Sequence, residues 1–349
     1  MTMRIAILSY PMLFQRQGGL QIQIKETIAA LNQLDNIQAE LINPLQDQLD
    51  DYDLVHVFSA INGNYRIVEA AKDVGKPVVI SPLVRPDWTR FTGMRERFLD
   101  RLVGKLTGWH IQTTYREIDY CLHASDGIVA LGEIEKNSIT EAFTIAPEKV
   151  SVVPNGIPRR FFEATPDLFT EKYSIAPGFI LCVAAINRHK NQLALAEALK
   201  DTGLKMVLIG SCLESSKDYL ARLLAYPHVD YLGSLAYDDP LLASAYAAAG
   251  VFCLPSLSEV MPLSVLEALA AGTATVMTKN HCMDVSMMQS IVREIDPNDQ
   301  AAIRQGIYSI LVNPIAPEIC RASVVALSWD SVASDLAAIY GQVFSKRPT

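Results

Sequence analysis

Short β-branched runs alternate with helical patterns along the chain, and this alternation starts afresh halfway through. "MRIAILS", "DLVHVFSA", "KPVVISP" and "SDGIVALG" are each followed by a segment of helical spacing. "EKVSVVPNGIP" then breaks the pattern with Pro154, Gly156 and Pro158. It resumes with "GFILCVAAIN", "LKMVLIGS", "HVDYLGS", "VFCLPS" and "TATVMT", again interleaved with helical stretches. Strand–helix alternation demands a mainly parallel sheet covered on both faces, so two alternations predict two α/β lobes facing a cleft. The 349 residues suffice for two cores. We place the lobes at 1–157 and 158–327, and a final amphipathic helix within 328–349, N-capped by Ser328.

Composition narrows the function. The net charge of −8 argues against a nucleic-acid partner, whose phosphates call for clustered Lys and Arg. Any anionic ligand must be held locally. The six cysteines are scattered, without zinc or CxxC spacing, and read as buried thiols of a reducing compartment. No run approaches the ~18 apolar residues of a membrane span, and the N-terminal apolar run is too short for a signal peptide. The expectation is a cytoplasmic protein, with peripheral membrane contact as an option.

The segment "PSLSEVMPLSVLEALAAGTATV", residues 255–276, carries the densest chemistry. Glu259 follows a strand, on the side of the sheet where ligands of open α/β folds bind. From Leu263 onward a helix is predicted, ended by Gly272, with Glu267 one turn in. The free amides of such a helix start suit a diphosphate. An acid on either side suits hydroxylated rings, and one elongated ligand, sugar–diphosphate–ribose, satisfies all three.

This segment resembles the E-x7-E signature of the retaining GT-B glycosyltransferases of glycosyltransferase family 4. Gly18-Gly19 after the first strand, "VSVVPNGI" at the junction, "HKNQLALAEAL" and "SWDSVASDLAAIYGQVF" follow in the same order. The resemblance implies a GT-B fold of two Rossmann-like lobes, with the last helix returning to the first. It implies transfer of a sugar from a nucleoside-diphosphate sugar, a UDP-hexose being favoured, to a glycan or lipid-linked acceptor. Retention of configuration, with no metal and no cofactor beyond the donor, is also implied. Glu259 and Lys190 would be catalytic. Glu267 would bind the ribose; Leu263, Ser264 and Val265 would offer amides to the diphosphate, aided by Gly18 and Gly19. Ser81 and Arg85 lie on the expected acceptor side.

Several positions depart from the family pattern. Ala184 and Ala185 stand where Gly-Arg is usual, and Arg188 is the candidate replacement for the missing phosphate cation. Leu83 and Phe58 occupy positions where relatives carry histidines, and His56 reads as a core residue. Val260 and Pro262 replace glycines. These departures motivate a second reading, a sugar-nucleotide-binding or scaffold protein of the same fold with little turnover. Asp51 and Asp53 form an Asp-x-Asp pattern but precede their strand, at the wrong end of a sheet for a metal-bound ligand. A Rossmann oxidoreductase would need a GxGxxG after the first strand, and "RQGGLQ" does not supply it.

One further segment stands out. In "VRPDWTRFTGMRERFLDRLVGK", Met94, Phe98, Leu99, Leu102, Val103 and Leu106 recur at helical spacing, with Arg95, Arg97, Arg101 and Lys105 on another face. Such a helix either packs its apolar face into the core or docks on anionic lipid.

Overall fold

A computed structural model describes residues 2–15, 18–108, 110–286 and 288–346. The last three residues of the assigned C-terminal segment fall outside these. Two six-stranded sheets are present, every strand pair parallel. The first holds β1 (Met3–Leu8), β2 (Ile37–Leu41), β3 (Leu54–Phe58), β4 (Val78–Ser81), β5 (Gly127–Ala130) and β6 (Val150–Val152), in the order β2-β1-β3-β4-β5-β6. The second holds β7 (Ile180–Val183), β8 (Met206–Ile209), β9 (Val229–Tyr231), β10 (Val251–Leu254), β11 (Thr275–Thr278) and β12 (Val292–Ile295), in the order β12-β11-β10-β7-β8-β9. The sequence reading did not anticipate β2 or β12, whose "IQAEL" and "VREI" mix polar with apolar residues; their outer positions let Gln38, Arg293 and Glu294 reach solvent.

The strand cores are buried on both faces, as the near-continuous Val, Ile and Leu runs require. In each sheet the connections leave in opposite directions from one pair of neighbours. These switch points lie between β1 and β3, and between β7 and β10. A crevice opens there at the carboxyl ends of the strands.

The C-terminal helix, Trp329–Ser345, is N-capped by Ser328, whose hydroxyl accepts the Ser331 N–H at 3.1 Å. Trp329, Ala333, Leu336 and Tyr340 pack in one core cluster with Ile5, Ile7 and Val129 of the first lobe. The chain therefore crosses between lobes twice, and the crossings touch: Ile157 bridges Ser328, and its N–H donates to Leu327 O at 3.0 Å. Gly156 is required at this seam, because a Cβ there would stand 2.6 Å from the Trp329 nitrogen. Gly156→Ala should lower the stability of the whole chain by about 2 kcal/mol, the scale of overpacking. Thermal denaturation checks this against Gly18→Ala, where a Cβ meets nothing within 4 Å and little change is expected.

Candidate functional site

The β7–β10 switch point gathers the residues singled out in the sequence. After β7 the chain forms a single turn, Arg188–Lys190, capped by Asn187, whose side chain accepts the Lys190 N–H at 3.0 Å. After β10 the loop 255–262 runs beside it, and side chains stitch the two together. Asn191, held in the left-handed region at φ +57°, donates to Pro255 O at 3.1 Å and to Pro297 O at 2.7 Å. His189 bonds Ser258 O at 2.9 Å, and the Leu257 N–H donates to His189 O at 2.9 Å. From the other side, the Glu259 N–H donates to Asn280 O at 2.8 Å. The turn and the loop are thereby fixed so that Lys190 Nζ donates to Glu259 Oε1 at 2.6 Å.

The helix Leu263–Ala271 begins at Pro262 without a side-chain cap and ends at Gly272, φ +95°. Here the expectation needs a correction. The Val265 N–H is already taken by Pro262 O at 3.1 Å, because the first turn tightens toward the proline carbonyl. Leu263 and Ser264 keep amides with no protein acceptor among the described residues. Opposite stands the helix Gly19–Leu31, capped only by the extended backbone of Gly18. A Cβ on Gly19 would lie 3.9 Å from Leu263 Cδ1. Two helix N-termini thus converge from the two lobes, and their partial positive charges add to that of Lys190.

Glu267 is not a solvated helix acid. It is 4% exposed; its Oε2 accepts the Tyr246 hydroxyl at 2.7 Å, and its buried Oε1 has no partner within hydrogen-bond geometry among the described residues, with Tyr237 as a further neighbour of the carboxyl. Burial raises its carboxyl to about 7, opposed by the Tyr246 hydrogen bond and by Arg160. Arg160 stacks over Tyr237 at 4.5 Å and faces Glu26 of the first lobe at 3.9 Å. Arg160, Tyr237 and Tyr246 were missed in the sequence, because an isolated Arg or Tyr carries no periodicity that marks a partner.

The remaining expected residues spread out. Arg188 is exposed and turns toward a cavity of about 500 Å³ shared with Ser215, Ser216, Asp218, Tyr219 and Arg222, on the β8 side of the turn. Ser81 is 2% exposed and bonds His56 Nε2 at 2.9 Å, while His56 Nδ1 meets the Tyr340 hydroxyl at 2.7 Å. Ser81 therefore braces β3, β4 and the C-terminal helix and does not face the cleft. Burial lowers His56 to about 3, so it is a neutral core residue. Arg85 is exposed and pairs with Asp87 at 3.3 Å. Asp53 accepts the Arg4 N–H at 2.8 Å, and no metal-holding cluster occurs among the described residues.

The helix Arg90–Thr107 does not follow the core-packing alternative. Its buried positions are Gly93, Asp100 and Gly104, and a Cβ on Gly93 would strike the Ala142 backbone at 2.2 Å. The glycine side is what seats the helix. Phe91 (70% exposed), Met94, Phe98 (68%), Leu99, Leu102 and Leu106 (77%) face outward instead, interleaved with Arg95, Arg101 and Lys105. Among the described residues, no helix is long and apolar enough to cross a membrane.

Residues 171–323 match the family model of the group 1 glycosyl transferases. That stretch, most of the second lobe, is similar to this family, and the chain as a whole has the GT-B fold. Among solved structures, sucrose-phosphate synthase from Thermosynechococcus elongatus superposes with TM-score 0.77 at 15% identity, covering 99% of this chain and 100% of that one. Anabaena HepE, solved with UDP, gives TM-score 0.71 at 16% identity, with 97% and 100% covered. By sequence, the MMP α-(1→4)-mannosyltransferase of Mycolicibacterium hassiacum is 22% identical over 63% of this chain and 54% of its own length. The α-monoglucosyldiacylglycerol synthase of Streptococcus pneumoniae is 30% identical over 44% and 38%. The aligned regions thus span about half or less of these two relatives.

Glu267 gives a pH test. Its carboxyl ionises near 4.5 when unfolded and near 7 when folded, so between these values the folded state holds more protons and stability falls as pH rises. At ~1.4 kcal/mol per unit, the ionised carboxylate costs about 3 kcal/mol above pH 7. Glu267→Gln should therefore raise the melting temperature relative to wild type more at pH 8 than at pH 5; equal differences at both would refute this.

Proposed function

We propose that the protein is a glycosyltransferase acting on a nucleoside-diphosphate sugar, with residues 158–327 as donor lobe, 1–157 as acceptor lobe and 328–349 clasping the two. The observation that carries this reading is the Lys190–Glu259 pair at the second switch point, set beside an uncapped helix N-terminus. In the reaction, negative charge grows on the departing diphosphate. Leu263 and Ser264 N–H groups, the Gly18-Gly19 helix start and Lys190 are pre-oriented donors and cations for that charge, an economical way to lower the barrier. They make a metal unnecessary. Glu259 orients Lys190 and, with the donor in place, accepts from hydroxyls of the sugar. The orphan Oε1 of Glu267 is an acceptor waiting for a donor, and a ribose hydroxyl supplies one.

Retention follows, in this reading, from attack on the face the diphosphate leaves, with a phosphate oxygen taking the acceptor proton. No carboxylate besides Glu259 and Glu267 is assigned to this chemistry, and a double displacement is not invoked. UDP-hexose is the favoured donor and a glycan or lipid-linked chain the acceptor, on the cytoplasmic side. Arg188 is the candidate replacement for the cation absent at Ala185, a role that requires it to turn from the β8-side cavity toward the diphosphate. UDP should raise the melting temperature more than GDP or ADP, since a ligand bound to the native state stabilises it. Lys190→Ala should weaken UDP binding at least tenfold, about 1.4 kcal/mol, and Arg188→Ala several-fold. Turnover of UDP-glucose with inversion at the anomeric carbon, read by NMR, would overturn the retaining mechanism; binding without any turnover would favour the scaffold reading.

The outward apolar face of the helix Arg90–Thr107 supports peripheral contact with an anionic membrane. Large apolar side chains flanked by Arg and Lys, on a protein of net charge −8, match the interfacial pattern, and each basic residue near such a surface adds ~1 kcal/mol. The chain should float with vesicles containing phosphatidylglycerol and not with pure phosphatidylcholine, and Phe98→Asp/Leu102→Asp should abolish flotation. Flotation indifferent to anionic lipid would refute it.

A further inference from the structure

The loop that follows β4 is held by a carboxylate that the chemistry above does not use. Glu135 lies in the first turn of the helix Glu133–Phe143 and is 0% exposed. Its Oε1 accepts the Val84 N–H at 2.7 Å, and its Oε2 accepts the Leu131 N–H at 2.7 Å. The Leu83 N–H faces it as well. Leu83 sits at φ +59°, a left-handed conformation that costs a leucine ~1–2 kcal/mol and that the converging amides make useful. Paired N–H groups of this kind form a concavity that binds an anion, and here the chain supplies its own.

The two segments that Glu135 ties together are the ones that meet the opposite lobe. Cys282 Sγ lies 3.8 Å from Val84 O. A Cβ on Gly132 would stand 2.5 Å from Cys282 O, so the lobes touch backbone to backbone at this point. The Cys282 N–H in turn donates to Val260 O at 2.8 Å, one residue from Glu259. A continuous path of contacts runs from Glu135 through Val84 and Gly132 to the loop that carries Glu259.

We propose that Glu135 is a positioning residue: its carboxylate holds the loop after β4 and, through Cys282, sets the first lobe against the Glu259 loop, so the alignment of acceptor and donor depends on it. The consequence for turnover rests on the glycosyltransferase reading; the geometric part does not. Burial holds the Glu135 carboxyl up at about 7, opposed by the Leu131, Val84 and Leu83 N–H groups. From the second lobe the Cys282 thiol faces it, itself pushed up by burial, by Glu135 and by Asp87. Asp87 is paired with Arg85. As pH falls through 7 the carboxyl takes a proton and loses the negative charge that both amides lean on.

Hydrogen exchange and kinetics on the full chain test this together. In Glu135→Gln the Val84 and Leu131 amides should exchange at least tenfold faster, with residues 263–271 unchanged. With UDP-glucose as the probe donor, kcat should fall about tenfold and KM should stay within twofold, and the acidic limb of the kcat profile near pH 7 should flatten. Glu267→Gln, by contrast, should act on KM. Unchanged exchange at Val84 would overturn the proposal, as would faster exchange with kcat and its pH profile intact. If Glu135→Gln fails to fold, Glu135→Asp, whose shorter carboxylate cannot reach both amides, should speed Val84 and Leu131 exchange at least tenfold with residues 263–271 unchanged, and unchanged exchange refutes the idea. If no sugar nucleotide is turned over, the functional reading falls, while the exchange measurements still decide what Glu135 holds.

Discussion

Lys190 and Glu259 meet because β7 and β10 are neighbours whose chains leave in opposite directions. Partly exposed ion pairs of this kind contribute ~1 kcal/mol or less, so the contact does not hold the lobe together. The dependence runs the other way: Asn191, His189 and Asn280 fix the backbone on both sides of the crevice, and the two side chains are delivered to each other. A lysine placed at 2.6 Å from a carboxylate in a crevice, with two amides on the same loop's helix unclaimed among the described residues, would under the proposed function lose little entropy when an anion arrives.

The second constraint is the seam between lobes. Among the contacts that set it are the paired crossings at Gly156 and Ser328, the approach of Gly19 to Leu263, and the backbone contact of Gly132 with Cys282. At Gly132 and Gly156 a missing Cβ lets backbone approach backbone, which fixes the distance between lobes more firmly than side-chain packing can. The buried, half-satisfied Glu267 lies near the same seam, close to Arg160 and Glu26. An unpaired acceptor there is costly for the free protein, and a ligand hydroxyl that reached it would recover that cost.

Much of this was legible in the sequence where the signal is local. Strand–helix alternation, the Pro and Gly punctuation at the junction, the Ser328 cap and the Gly272 stop depend on a few adjacent residues, and so did the likeness of the 255–276 segment to a glycosyltransferase signature. The helix Arg90–Thr107 shows where local reading fails. Its period was right and its orientation stayed open between two alternatives, because periodicity reports that an apolar face exists and not what covers it. Gly93, easily passed over as a weak helix former, marks the seated side, since the Ala142 backbone comes too close there to admit a Cβ.

Nothing in the sequence reading singled out Glu135, although an acid at the third helical position is a known partner for free amides. Its second partner, Val84, lies 51 residues away, and no pattern along the chain connects them. The same holds for Ser81 with His56 and for Glu267 with Tyr246. By itself the sequence determined which segments become strands and helices, where the chain divides, and which acids and cations fall at strand ends, because those follow from propensity and period. Only the tertiary structure decided which of those groups face each other, which are buried without partners and which apolar face is left in water, because burial and hydrogen-bond pairing are properties of segments brought together from distant parts of the chain.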